Sequence, residues 1–244
     1  MRIFQTLAVA GSALVFAAGP AAAQQDRWTH SSIGVAGKVS TLGGGVDVAV
    51  PVLERANVRV GISMFTFSHD FEDDGITFGA ALRLRSVTAS FDWFAFGGGF
   101  HLSPGVMLYN GNGVDILAFV PPGHVFDLGG ETLYSSATNP ITGTGKVAFD
   151  RIAPSLTLGW GNIIPPGNRR WSIPFELGLV YSRAPRATLT FAGSACLQDG
   201  TNCRNVSTDP ALQADVAREQ VDMNDALAVL KIIPVVSLGF SYKF

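Results

Sequence analysis

The feature that most constrains the fold is the alternation of residue types in the last eleven residues, 234–244 (PVVSLGFSYKF). Every second residue there is apolar or aromatic: Val236, Leu238, Phe240, Tyr242 and Phe244. Successive side chains of a strand point to opposite faces, so a period of two predicts a strand with one apolar and one polar face. Alternation alone also fits a sheet edge in a soluble sandwich.

The chain ends on an aromatic residue, with further aromatics two and four positions earlier. At this point it resembles bacterial outer-membrane β-barrels, whose final strand is the signal read by the barrel-assembly machinery. The resemblance implies that role for Phe240, Tyr242 and Phe244. It also implies a place in the outer membrane of a Gram-negative bacterium, in contact with outer-membrane lipids and lipopolysaccharide.

The first 23 residues have the parts of an export signal. Arg2 is positive, an apolar segment runs from Phe4 to Ala18, and Ala21 to Ala23 precede a predicted cut before Gln24. The apolar segment is shorter than the ~20 residues that a spanning helix needs. We predict a signal peptide at 1–23 and one barrel domain at 24–244. A retained membrane anchor is the alternative.

Composition narrows the partner classes. Hydrophobic residues make up 47% of the chain, and no run of 18 apolar residues follows the signal, so they must fill a core or face lipid from a barrel. The net charge of -2 gives no indication of nucleic-acid binding. We expect no nucleic acid partner, no cofactor and no metal site.

Seven more segments alternate like the last one, which makes eight strands in total. They are residues 33–40, 46–52, 58–64, 76–93, 100–108, 147–161 and 171–182. An even number places both chain ends on one side, with the short turns there and the longer loops opposite, as in outer-membrane barrels. We predict an all-β fold, an eight-stranded antiparallel transmembrane up-and-down barrel. A soluble lipocalin-like barrel is the alternative.

The alternation inverts within residues 76–93, where Leu84 and Val87 are both apolar although they are three positions apart. A one-residue shift is typical of a β-bulge, so we predict one near Ser86, with a tight turn as the alternative. The bulge would bring Arg83 and Arg85 to the polar, inward face.

The inward rows of the predicted barrel carry charges of both signs. An eight-stranded barrel is just wide enough to be filled by side chains, and buried charges need partners. We predict a lumen charge network of Arg59, Arg83, Arg85, Asp92 and Glu176 that closes the pore. A narrow pore or a ligand pocket is the alternative.

Outside the strands, residues 110–145 lack sustained periodicity and are predicted as a long loop. Residues 209–230 predict a short helix in the last external loop, capped by Asp209. Cys196 and Cys203 predict a disulfide, because export implies an oxidising compartment. Two unpaired thiols are the alternative.

Three segments look like parts of small outer-membrane proteins of the OmpA- and OmpW-like barrel type: VDVAVPVLERANVRVGISMF, FDRIAPSLTLGWGN and PVVSLGFSYKF. We expect a non-enzymatic barrel with a structural or surface-interaction role through its loops, whose extracellular partner the sequence does not identify. A porin or carrier is the alternative. A less favoured one is a lipid-modifying enzyme, since His101 and Ser103 have the His-x-Ser spacing of lipid A deacylases, although Pro104 replaces the usual Asn.

Overall fold

The computed structural model describes residues 32–244, so the predicted signal peptide lies outside the described residues. The strands, in chain order, are β1 (Gly34–Ser40), β2 (Gly43–Leu53), β3 (Ala56–Asp73), β4 (Ile76–Trp93), β5 (Phe100–Asn110), β6 (Gly113–Phe119), β7 (Val125–Leu128), β8 (Glu131–Ser135), β9 (Thr142–Ala148), β10 (Ala153–Trp160), β11 (Trp171–Ser172), β12 (Phe175–Tyr181), β13 (Arg186–Ala192), β14 (Ser194–Cys196), β15 (Arg204–Asn205) and β16 (Ile232–Lys243). One helix, α1 (Pro210–Leu227), precedes β16.

The predicted eight-stranded antiparallel barrel is confirmed. Its wall runs β1-β2-β3-β4-β5-β10-β12-β16, and β16 pairs with both β12 and β1, so the final strand closes the barrel. Two strands are shorter than predicted. Val147 belongs to β9 rather than to β10, and the seventh barrel strand is interrupted at Pro174, which separates β11 from β12.

The hairpin of β3 and β4 extends well beyond the barrel. Its pairing is continuous from Ala56 opposite Trp93 to Asp73 opposite Ile76. Asp74 and Gly75 form the turn with φ of 45° and 73°, the left-handed conformations that a two-residue hairpin turn requires. Residues 69–75 (HDFEDDG), whose acidic and turn-favouring composition predicts a loop, are therefore mostly strand.

Contrary to the prediction, residues 110–145 do not form a long loop. The outer part of β4 pairs with β6, β6 with β9, and β9 with β13, which makes an external sheet. A second sheet has the order β15-β14-β8-β7. Its strands have two to five residues, too few to show a period in the sequence.

The helix is confirmed, three residues shorter at its end than predicted. The Asp209 side chain accepts hydrogen bonds from the amides of Ala211 and Leu212 at 3.0 and 3.1 Å, as an N-cap does. Leu212 and Val216 pack into an external core with the second sheet. No helix in residues 32–244 is both long and apolar enough to cross a membrane.

The bulge predicted in β4 is wrong, and the error has a physical cause. A register shift does occur at Val87 and Thr88, but the additional residue is Leu108 of the neighbouring β5, and β4 stays in phase with β3. The apolar residues change sides because the surroundings change. From Val87 to Trp93 the outward face is apolar. From Ile76 to Arg85 the outward face is polar and the inward face is apolar.

Candidate functional site

The interior of the barrel contains a charged cluster centred on Arg59 of β3. Its guanidinium lies 3.4 Å from an Asp47 oxygen, 2.9 Å from an Asp92 oxygen and 2.5 Å from a Glu176 oxygen. Lys38 adds a second cation, with its Nζ 2.6 Å from the other Asp47 oxygen. Except for Lys38, these residues are buried. Two cations thus face three carboxylates, and their pairing offsets the cost of desolvation.

His101 of β5 belongs to the same cluster. Its Nε2 is 3.2 Å from Glu176, its Nδ1 is 3.2 Å from the Gly99 carbonyl oxygen, and its ring packs on Phe94. Gly159 leaves the space for this ring, since a Cβ there would overlap it. The alternation of residues 100–108 puts His101 on the polar, inward face, but nothing in the sequence indicates Glu176 as its neighbour.

The structure brings together only part of the predicted charge network. Arg59, Asp92 and Glu176 meet as predicted. Arg83 and Arg85 do not join them, because the continuous register of β4 puts their odd-numbered positions on the outward face. There Arg83 pairs with Asp115 of β6.

Apolar clusters bound the charged layer at both ends of the barrel. On the side where β1 begins and β16 ends, Ile163 and Ile164 fold in from the turn after β10 and pack on Ala36 and Ala49. At the opposite end, a second cluster crosses the lumen: Leu42, Met107, Ala153, Val180 and Val235.

Between the charged layer and the second cluster lies a cavity of ≈ 50 Å³. Hydroxyl groups form much of its lining, including those of Ser63, Ser90, Ser103 and Ser155. This space can hold water molecules, which need at least ~15 Å³ each. It is far smaller than the roughly 300–1,000 Å³ of small-molecule sites.

Asp92, His101 and Glu176 also have the composition of a metal site, with potential ligand atoms within 4.8 Å of one another. Arg59 already pairs with one carboxylate oxygen of Asp92 and one of Glu176. A divalent cation would have to displace the guanidinium or bind beside it against its positive charge. We therefore interpret the cluster as an ion-pair layer.

The His-x-Ser pair is enclosed in the same interior. His101 and Ser103 are both buried, and the Ser103 hydroxyl has no hydrogen-bond partner within residues 32–244. His101 makes its contacts with Glu176 and Gly99 instead. The geometry does not couple this base to this nucleophile.

The terminal aromatic residues lie together on the outside of the barrel. The Trp171 ring is 5.0 Å from the Phe240 ring and 4.4 Å from the Tyr242 ring, and Tyr242 lies 4.8 Å from Phe244. Such a row at one end of the barrel has the arrangement of an interfacial aromatic girdle. Its use as an assembly signal stays a prediction.

Cys196 and Cys203 form a disulfide in the external part of the chain. Within this loop, the Thr201 hydroxyl donates to Asp199 at 2.6 Å and the Thr201 amide donates at 2.9 Å. These hydrogen bonds lower the pKa of Asp199 from its ordinary value. The loop is thus held by a covalent link and by local hydrogen bonds.

Two solved structures share the architecture of this chain. CarO from Acinetobacter baumannii is 20% identical, with a TM-score of 0.51 over 86% of this chain and 97% of that chain. CarO2 from the same organism is 17% identical, with a TM-score of 0.53 over 87% and 98%. At these identities the likeness shows the fold alone.

No family model matches the sequence, and no curated protein does. The expected resemblance to the OmpA- and OmpW-like type stays a prediction.

Proposed function

We propose that this chain is an integral barrel of a Gram-negative outer membrane, with a closed lumen and an external domain that serves surface interactions. The observation that carries the proposal is the inverted polarity of the barrel. Charged residues fill its interior, while its outside exposes rows of large apolar side chains such as Val58, Val60 and Ile62. A soluble protein rarely exposes so extended an apolar surface, whereas lipid favours it.

The arrangement of the lumen supports a role other than transport. Apolar side chains cross it near both ends, salt bridges fill the layer between, and the cavity beside Arg59 and Ser103 measures ≈ 50 Å³. A porin needs a continuous aqueous path, and an enzyme acting on lipid needs access to its nucleophile. Ser103 lies inside the barrel, away from the lipid-facing surface.

The size of the external domain supports a surface role. It contains two sheets, α1 and a hydrophobic core of its own, built around Leu133, Ile141, Val206 and Leu212. Closing the barrel would require only short connections. Folded loops of this size on a rigid scaffold are where binding functions concentrate.

Two positions of equal exposure allow a direct test of the location and topology. Val229 follows α1 at the external end, Phe96 lies in the turn before β5 at the other end, and both are 81% exposed. In intact cells, a membrane-impermeant maleimide should label Val229→Cys. Phe96→Cys should react only after the outer membrane is permeabilised. Equal labelling of both variants, or the reverse pattern, contradicts the proposal.

A further inference from the structure

A cavity of ≈ 350 Å³ lies on the outward face of the chain where β4 changes its partner. The last barrel pair of β4 is Ser86 opposite Asn110, and its pairing with β6 begins at Arg83 opposite Gly113. The segment 110–113 turns between the two sheets and leaves a recess at the barrel rim.

Positive side chains dominate this recess. Arg83, Arg85, Lys146 and Arg151 line it, and the lining includes one carboxylate, Asp115, which pairs with Arg83. All four cations are exposed. The chain as a whole carries a net charge of -2, so this concentration of positive charge is local.

The turn below the cations is held by two asparagines. The Asn112 side chain accepts from the Arg85 amide at 2.8 Å, and the Asn110 side chain accepts from the Asn112 amide at 3.2 Å. Asn110 is only 4% exposed, yet its Nδ2 group has no partner in the described part of the chain. A buried amide donor without an acceptor is costly, and Asn110 is one of the residues that line the recess.

The recess also has a defined height on the barrel. Val87 and Phe91 continue the outward face of Arg85 toward the apolar belt, and Tyr109 lies opposite Val87. Two residues of strand span about 7 Å, so Arg85 stands just above the last apolar position of β4. Tyrosine is enriched at this boundary between lipid and water.

We propose that this recess binds the phosphate groups of an outer-leaflet glycolipid, a headgroup of the lipid A type that carries two phosphates. The inference rests on the proposed outer-membrane location. Arginine matches phosphate oxygens with two parallel hydrogen bonds, and Arg83 and Arg85 stand on one face of one strand. The site thus explains why two arginines lie outside the lumen network, next to the membrane boundary.

The test uses the folded, full-length mature protein in a neutral detergent, with native mass spectrometry as the readout. The probes are diphosphoryl lipid A, phosphatidylethanolamine and inorganic phosphate. The double variant Arg85→Gln/Arg151→Gln removes two cations that form no salt bridge in the described chain. Arg55→Gln/Arg169→Gln removes two exposed cations at the other end of the barrel and is the matched control.

We expect the wild type and the control to bind diphosphoryl lipid A at least about tenfold tighter than the Arg85→Gln/Arg151→Gln variant, the effect of losing one strong contact. Phosphatidylethanolamine should bind weakly to all three proteins. Equal lipid A binding by the variant and the control overturns the inference. So does competition by inorganic phosphate at equal concentration, which would indicate a site for a small anion.

Failure of this inference and failure of the proposed function are distinguishable. If lipid A binding is absent while the barrel is folded and Val229→Cys is labelled on intact cells, only the lipid site is wrong. If Val229→Cys is not labelled, the proposed location itself fails.

Discussion

Arg59 has more ionic partners than any other residue of the lumen layer. It contacts Asp47, Asp92 and Glu176; Asp47 also pairs with Lys38, and Glu176 also contacts His101. Removing the guanidinium therefore leaves Asp92 without a cationic partner and Glu176 with His101 alone, in the buried interior of the barrel. Breaking a buried charge pair by deleting one partner typically costs about 3–5 kcal/mol.

Arg59→Met should thus lower the free energy of unfolding by about 3–5 kcal/mol, because charge is left unmatched while the side-chain volume is largely kept. Urea unfolding in lipid vesicles, followed by tryptophan fluorescence, measures this change. Arg55→Met, at an exposed position of the turn before β3, is the control and should change stability by less than about 0.5 kcal/mol. Equal effects of the two variants would contradict the ion-pair layer.

Glycine positions give a second prediction at the scale of single residues. A Cβ at Gly61 would overlap the Asp47 carboxylate and lie 3.1 Å from the Lys38 ammonium. Gly61→Ala should therefore destabilise the barrel by about 1–3 kcal/mol, as overpacking does. At Gly37 no described atom lies within 4 Å of the added Cβ, so Gly37→Ala should be neutral or stabilise slightly. The same unfolding assay compares the two, and a Gly61→Ala barrel as stable as the wild type would refute the packing argument.

At the scale of elements, alternation predicted the barrel strands and the inward positions of Arg59, Asp92 and Glu176. It failed for Arg83 and Arg85 because it reports which face is apolar, not which face points inward. The outward face of β4 is polar from Ile76 to Arg85 and apolar from Val87 to Trp93. One continuous strand therefore shows two phases of apolar alternation. No pattern within β4 marks the residue at which the surroundings of its outward face change.

The apolar plug at the end of the barrel was also missed. Ile163 and Ile164 lie between two predicted strands, where Pro165, Pro166 and Gly167 indicate a turn. Two adjacent large apolar residues in a short turn are a signal for burial, but they add nothing to the period of a strand. The contact of Ile163 and Ile164 with Ala36 is non-local and therefore has no local signature.

The final strand carries a prediction about assembly rather than stability. Phe244 is 73% exposed, and even the full burial of a Phe side chain is worth only about 1.5–3 kcal/mol. Deleting Phe244 should leave refolding into detergent intact but strongly lower the amount of barrel in the outer membrane. Heat-modifiable gel mobility of refolded protein and of membrane fractions separates the two effects.

Phe96→Ala serves as the control for this deletion, because Phe96 is an exposed aromatic outside the final strand. It should assemble normally. A normal yield of the Phe244 deletion in the outer membrane would show that the terminal residue is not the assembly signal.

At the scale of the whole molecule, the chain combines a filled barrel with a separately packed external domain. The external core includes Ile141, Val206 and Leu212, whereas the lumen contains salt bridges between apolar end clusters. Lipid around the barrel and ion pairs within it explain why the barrel is apolar outside and charged inside. Water on the outer face of the external sheet explains why the polarity of the outward face changes along β4. Under the proposed function, the barrel is the rigid scaffold and the external domain provides the surface for recognition.

The closed lumen is the central claim, and recording from planar lipid bilayers tests it most directly. Folded wild-type protein, inserted at a density at which an open porin gives clear current steps, should show no steady conductance, because apolar clusters near both ends and the Arg59 ion pairs cross the lumen. Stable, reproducible current steps from the wild-type barrel would contradict this account and favour a channel.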